Sequence, residues 1–295
     1  MRIGIRLAWM NGQGHANFIG DHALAEAWFK YLSRREDVTA VQLVGPNEPL
    51  LRPVDVMIHF HPDLPLQLGC KNLYYCQNIW PEPHFPGGTV GVFSQCKQRF
   101  AGYIFASETM REKCGADGAV IPFATDPELF YPDFDPAYAH NVAIVANARN
   151  HPNDEKYLGP ATGHGLAIYG GLWPERWAPF YKGRATQEQV RKIYSSSKVL
   201  LNYSVPEAVN MGMVNSRVYD ILACGGLCAS DEHPAMKPFM ARVWDMNGSN
   251  ESLSRIQSLM GHEPRPIECY REWVIEHHTY AHRMETLMAY LKGVV

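Results

Sequence analysis

The stretch that decides the fold is VPEAVNMGMVNSRVYDILACGGLCASD, residues 205–231. It predicts a loop, a short helix that begins after Asn215, a glycine stop at Gly225 and a buried strand. Arg217 and Asp220 are three residues apart, so they share a face of that helix. Free amides and an arginine at a helix start suit a nucleoside diphosphate, and the carboxylate suits its ribose hydroxyls. A surface helix with an Arg/Asp pair is the alternative interpretation.

Composition limits the class of protein. The chain has 295 residues, of which 46% are hydrophobic, and this is enough material for two domains of ordinary size. The net charge is −3 and no Lys/Arg run is present, so the sequence offers no electrostatic footprint for general nucleic-acid binding. The seven cysteines include no C-x-x-C pair, which is typical of reduced thiols. We therefore expect a soluble, cytoplasmic protein with no transmembrane segment.

The amino-terminal half opens as strand, glycine loop and helix, which is the start of a Rossmann-like unit. Gly12 and Gly14 could let the backbone approach a ligand closely, although a sharp turn alone also explains them. Asn17 stands where the dinucleotide fingerprint has a third glycine. Further strands are predicted at residues 38–44, 55–60, 73–77, 90–93 and 103–106. Strands that alternate with helices or loops predict a parallel sheet.

Ligands bind at the carboxyl ends of strands in such sheets. The polar residues at those positions that could act as a catalytic base are His15, His61, Glu82 and His84. Each of them taken alone is explained more simply as a structural or merely exposed side chain. His59 and His61 alternate on an extended segment, but no third ligand follows at a suitable spacing, so we predict no metal site.

The carboxy-terminal half repeats the alternation. Strands are predicted at 141–146, 165–169 and 199–203, and Thr186 with Gln189 forms a capping box before the helix between the last two. Basic residues recur near strand ends or helix starts, where they could contact phosphates, and each alone could be a solvated side chain: Arg149, Lys182, Arg184 and Arg217. The segment 267–291 shows one apolar stripe, which predicts a single long helix.

Four segments carry a resemblance to a known family: the junction residues Pro122, Asp126, Phe130 and Pro132, then IYSSSKVLLNYS (193–204), NSRVYDILACGG (215–226) and HTYAHRMETLM (278–288). Together they resemble GT-B glycosyltransferases, in the family 4-like group and its CgeB/spore-maturation-protein branch. The resemblance implies an α/β fold with two Rossmann-like domains facing across a cleft. Residues 1–125 would form the acceptor side and 140–268 the nucleotide-sugar domain, and the C-terminal helix 270–295 would pack back on the first domain.

The function that the resemblance implies is transfer of a sugar from a UDP-, GDP- or dTDP-sugar, with no metal or other cofactor. The acceptor could be a glycan, lipid, peptide or small molecule, and nucleic acid is not expected. Asp220 matches the ribose-binding carboxylate of the family, and Asn215 and Arg217 match its N-x-R beside the diphosphate. Arg149 falls where a basic residue often follows the first strand of that domain.

One position departs from the family pattern. Gly212 stands where the family's first glutamate is expected, and Glu207 lies nearby but out of register. A loop insertion could bring Glu207 to the sugar, so it is a further catalytic candidate. Three other functions remain open: a degenerate domain that binds a nucleotide-sugar or glycan without chemistry, a nucleotide-sugar epimerase, and a DNA-modifying glycosyltransferase.

Overall fold

A computed structural model of the chain describes residues 1–8, 19–149, 151–246 and 267–295. The chain divides into two compact units. The amino-terminal unit comprises Met1–Pro122, Asn210–Met213 and Tyr280–Val295, and the carboxy-terminal unit comprises Phe123–Val209 and Val214–Thr279. In the part of the chain that the structure describes, each unit contains one sheet of six parallel strands. The expected α/β fold with two Rossmann-like halves is confirmed.

The elements alternate along both units. The strands are β1 (Arg2–Arg6), β2 (Ala40–Val44), β3 (Val56–His59), β4 (Lys71–Cys76), β5 (Gly102–Phe105), β6 (Ala119–Val120), β7 (Val142–Val145), β8 (Leu166–Tyr169), β9 (Tyr181–Gly183), β10 (Val199–Asn202), β11 (Cys228–Ser230) and β12 (Val243–Asp245). The α-helices are α1 (Ile19–Ser33), α2 (Gly88–Cys96), α3 (Glu108–Cys114), α4 (Pro152–Leu158), α5 (Gln187–Ser196), α6 (Pro206–Asn210), α7 (Ser216–Ala223), α8 (Glu268–His277) and α9 (Tyr280–Val294). None of the helices within the described ranges is long and apolar enough to cross a membrane.

The amino-terminal sheet has the strand order β2-β1-β3-β4-β5-β6. Helix α1 covers it with a fully buried Trp28, whose ring centroid lies 5.4 Å from that of Phe60 and 4.8 Å from that of Tyr75. Helix α9 also belongs to this unit, where Tyr103 N donates to Tyr290 Oη at 3.1 Å.

The predicted strand at residues 90–93 is wrong, because these residues lie inside α2. A four-residue apolar run such as VGVF fits a buried strand or a helix equally well. The buried side chains of α2 are Thr89, Phe93 and Cys96, which recur at the spacing of one helical face. Helix α2 begins after Gly87, whose positive φ of 75° sets the turn that precedes it.

The carboxy-terminal sheet has the strand order β12-β11-β10-β7-β8-β9. The predicted capping box is confirmed at the start of α5. Gln189 N donates to Thr186 Oγ1 at 3.3 Å, and Thr186 N donates to Gln189 Oε1 at 2.8 Å. The glycine stop of α7 is confirmed too, since Gly225 has a φ of 70° directly after that helix.

The single helix predicted over 267–291 is also wrong, because α8 ends at His277 and α9 begins at Tyr280. Between them the chain becomes extended. The His278 carbonyl accepts a hydrogen bond from Thr125 N at 3.0 Å, and Thr279 forms a parallel β-bridge with Thr125. This pairing takes backbone groups out of the helical pattern, although the apolar periodicity of the sequence continues through it.

Candidate functional site

Arg217 bridges the carboxyl ends of the two strands between which the carboxy-terminal sheet reverses its order. Strand β7 comes first along the chain, β8 lies on one side of it and β10 on the other. Open parallel sheets bind ligands outside such a switch point. Arg217 Nε donates to the Val145 carbonyl at 2.9 Å, and Nη1 donates to Asn202 Oδ1 at 2.9 Å. Nη2 has no hydrogen-bond partner among the described residues, so it remains available to a ligand.

Helix α7, whose second residue is Arg217, begins without a side-chain cap. Asn215 occupies the N-cap position, but no side-chain hydrogen bond caps the helix. The Asn215 Nδ2 instead donates to Asn202 Oδ1 and to the Tyr203 carbonyl, both at 3.3 Å. The first amides of a helix lack intrahelical partners and carry the positive end of its dipole. An anion at this helix start would therefore meet both free amides and the Arg217 guanidinium.

A buried polar network fixes Asn202, the side chain that accepts a hydrogen bond from Arg217. Asn202 is fully buried, and its Nδ2 donates to Ser230 Oγ at 2.8 Å. Ser230 Oγ donates to Asp231 Oδ1 at 3.1 Å, and Ser204 N donates to Asp231 Oδ2 at 3.1 Å. Burial raises the pKa of Asp231, and the Ser204 amide opposes this shift. Sequence reasoning missed Asn202, for which the available signal was a polar residue that ends an otherwise apolar strand.

Asp220 lies one turn along α7 from Arg217, and the two side chains form no ion pair with each other. The Thr125 hydroxyl donates to Asp220 Oδ1 at 2.8 Å. Burial raises the pKa of Asp220 well above its usual value, and the nearby charge of Asp126 adds to this shift. The Thr125 hydrogen bond and the Arg217 charge oppose the shift. Oδ2 has no hydrogen-bond partner in the described part of the chain, so it can accept a hydroxyl.

Gly212, where the resemblance leads us to expect a glutamate, leaves little room for a side chain. Gly212 has a φ of 64°, and a Cβ on it would lie 2.5 Å from Thr109 Oγ1. Glu207 lies on α6 and is half-buried, with no hydrogen-bond or ion-pair partner among the residues that the structure describes. It is the one carboxylate between Val205 and Asp220.

The other basic candidates are exposed and lie in different places. Arg149 follows β7, and the neighbouring Ala148 N donates to the Gly171 carbonyl at 2.9 Å. A Cβ on Gly171 would lie 3.7 Å from Arg184 Nε, which places this guanidinium beside the ends of β7 and β8. Lys182 lies on β9, and its charge acts on His140. Burial lowers the pKa of His140, which precedes β7, and the Lys182 charge lowers it further.

The amino-terminal candidates that the structure describes follow β3 and β4. Gly12, Gly14 and His15 lie outside the described residues, whereas Glu82 and His84 are exposed after β4. His61 Nδ1 accepts from Asp63 N at 3.3 Å, and burial lowers its pKa. In the neutral ring that bond places the proton on Nε2 and the basic lone pair on Nδ1, so His61 can act as a base only when Nδ1 is released from the Asp63 amide or the ring takes the other tautomer.

No group of three or more His, Cys, Asp or Glu side chains within the described ranges is arranged to hold a metal ion. His59 is fully buried, and its Nε2 lies 2.8 Å from Asn72 Oδ1. Burial lowers the pKa of His59 to about 4.

Residues 149–289 match the model of a glycosyl transferase-like family. The chain carries a glycosyltransferase-like domain. This domain contains Glu207, Asn215, Arg217 and Asp220, and its family supports a transferase enzyme. No curated protein sequence matches the chain.

Solved structures give the fold of the whole chain. AviGT4, a glycosyltransferase involved in avilamycin A biosynthesis, is 13% identical, with a TM-score of 0.68 over 99% of this chain and 98% of AviGT4. A sucrose-phosphate synthase from Thermosynechococcus elongatus is 12% identical, with a TM-score of 0.69 over 100% of both chains. An α-glucosyltransferase in complex with UDP and a 13-mer DNA is 12% identical, with a TM-score of 0.67 over 99% of both chains. The glycosyltransferase-like domain is therefore part of a GT-B fold.

Proposed function

We propose that the chain moves a sugar from a nucleoside-diphosphate sugar to an acceptor. The observation that carries the proposal is Arg217, which is fixed by two acceptors at the switch point while Nη2 remains available. The family match supports sugar transfer. Structural neighbours contain UDP or GDP-fucose, which supports nucleoside diphosphates as the donor class. The segment NSRVYD supports placement in the CgeB-like branch.

The chemistry required is stabilisation of the leaving group. The diphosphate gathers negative charge as the bond to the sugar breaks. In our proposal Arg217 and the free amides of α7 stabilise this charge without a metal, and Asp220 accepts ribose hydroxyls. Loss of one preorganised donor of this kind costs about 3 kcal/mol of barrier in other enzymes.

Activation of the acceptor needs a second group. An inverting transfer requires a base within hydrogen-bond reach of the acceptor hydroxyl. Our candidates from the amino-terminal unit are His15, His61, Glu82 and His84. Glu207 is the candidate from the segment that precedes α7, where its carboxylate is half-buried and without a partner among the described residues.

A binding domain without chemistry is the second candidate function, and Gly212 is the observation that favours it. The glutamate that the resemblance leads us to expect is absent there, and a Cβ at that position would clash with the Thr109 side chain. This candidate predicts nucleotide binding with no transfer to any acceptor.

A nucleotide panel followed by a product search tests the proposal. Thermal unfolding is followed with UDP, GDP, dTDP, ADP and CMP, and we expect one diphosphate to stabilise the protein. A ligand at 100 times its Kd stabilises the folded state by about 2.7 kcal/mol. The matching nucleotide-sugar is then incubated with glycan, lipid, peptide and small-molecule acceptors, and mass spectrometry follows sugar transfer. Binding with no product from any acceptor would favour the binding domain, and no binding at all would contradict both functions.

A further inference from the structure

Thr125 connects three separate segments of the carboxy-terminal unit. It is fully buried, and its backbone N donates to the His278 carbonyl at 3.0 Å. It also forms a parallel bridge with Thr279, the last residue of that unit. Its hydroxyl donates to Asp220 Oδ1 at 2.8 Å. The backbone of Thr125 is therefore held by the break between α8 and α9, while its side chain holds a residue of α7.

The threonine side chain is well suited to orient a carboxylate. A β-branched side chain is restricted at χ1, so the hydroxyl of a threonine with a fixed backbone has little freedom. A buried hydroxyl also needs a hydrogen-bond partner, which Asp220 Oδ1 supplies here. With Oδ1 bound to Thr125, rotation of the carboxylate is restricted and Oδ2 is left for other donors.

We propose that Thr125 is a positioning residue, whose hydroxyl orients the Asp220 carboxylate so that Oδ2 accepts the ribose hydroxyls of a nucleoside diphosphate. This inference rests on the proposed function, and it assigns the orientation of the ribose-binding carboxylate to a residue of the junction segment, residues 122–132. In this account Thr125 does not contact the diphosphate group, which is bound by Arg217 and the α7 amides.

The charges around Asp220 make its role sensitive to pH. The titratable and charged groups that interact with Asp220 come from the junction segment, α5, α7 and the residue that follows α7: Asp126, Tyr194, Arg217 and Cys224. Burial and Asp126 favour the protonated carboxyl, whereas Thr125 and Arg217 favour the carboxylate. Loss of the Thr125 hydroxyl therefore raises the pKa of Asp220 further, so acceptance of ribose hydroxyls requires a higher pH.

The test compares Thr125→Val with Thr125→Ser by calorimetric titration of UDP, GDP, dTDP, ADP and inorganic pyrophosphate from pH 5.5 to 8.5. Valine keeps the shape and removes the hydroxyl, whereas serine keeps the hydroxyl. We expect Thr125→Val to weaken binding of the preferred nucleotide by about tenfold, the size of one hydrogen bond to a charged group. Its binding should also recover at a higher pH than in the wild type. Thr125→Ser should restore both properties, and pyrophosphate affinity should stay within about twofold throughout.

A matched control is Thr162→Val in the same unit, which removes a hydroxyl that donates to the Gly159 carbonyl at 2.7 Å. It should leave nucleotide affinity unchanged. The inference is overturned if Thr125→Val binds the nucleotide with wild-type affinity and pH dependence, or loses pyrophosphate and nucleotide affinity equally. Wild-type protein that binds pyrophosphate and none of the four nucleotides overturns the ribose role alone. Wild-type protein that binds none of the five probes contradicts the proposed function itself.

Discussion

Replacement of Arg217 by alanine should damage turnover far more than folding. The substitution removes two hydrogen bonds, one to the Val145 carbonyl and one to Asn202 Oδ1, each 2.9 Å long. At about 1.5 kcal/mol for each hydrogen bond from a charged group, their loss lowers the free energy of unfolding by about 3 kcal/mol. That corresponds to a fall of about 6–12 °C in Tm for a domain of roughly this size, so the protein remains folded at room temperature. Loss of a preorganised donor to the leaving diphosphate lowers kcat by about 100–1,000-fold.

The matched control is Arg191→Ala on α5. Arg191 Nε donates to Asp133 Oδ2 at 2.9 Å, so this variant also removes a partly buried guanidinium from the carboxy-terminal unit. The assay measures release of nucleoside diphosphate from the nucleotide-sugar that the panel selects, with circular dichroism to confirm folding. If both variants are folded and Arg217→Ala loses no more turnover than Arg191→Ala, the phosphate role of Arg217 is refuted.

Three further predictions concern stability and are checked by urea unfolding. Thr186→Ala should cost about 1 kcal/mol, because it removes the capping box of α5, and a wild-type midpoint would contradict this. Gly170→Ala should abolish or severely weaken folding, because a Cβ there would lie 1.9 Å from the Ala146 carbonyl oxygen at a φ of +124°, whereas Gly163→Ala meets nothing within 4 Å. The pKa of His59 is lowered to about 4, so as the pH falls below about 6.5 the unfolded chain takes up a proton that the folded chain does not. Stability should be unaffected by this group above pH 7 and fall by about 1.4 kcal/mol per unit between about pH 6 and 4, and His59→Leu should lose that slope.

The sequence predicts most strands and the capped helices because these features depend on nearby residues. The apolar runs of β1 and β7 and the box at Thr186 have local causes. The two wrong elements have a different origin. Residues 90–93 are too short a run to distinguish helix from strand, and the break after α8 is made by pairing with Thr125, which is distant in sequence.

The residues of the candidate site also fall into two groups: those that a local sequence pattern reveals and those that depend on contacts distant in sequence. The helical spacing of Arg217 and Asp220 and the N-cap position of Asn215 are visible in one short segment. Asn202 gains its meaning only because β10 lies between β7 and β11, an order that composition does not reveal. The hydroxyl of Thr125 on Asp220 likewise depends on how the chain enters the carboxy-terminal unit.

The most direct measurement is an experimental structure of the protein soaked with the nucleoside diphosphate that stabilises it. The account predicts a phosphate oxygen at about 3 Å from Arg217 Nη2 or an α7 amide, and a ribose hydroxyl at similar distance from Asp220 Oδ2. A nucleotide bound elsewhere, or bound here with its phosphates away from Arg217 and the start of α7, would contradict the central claim.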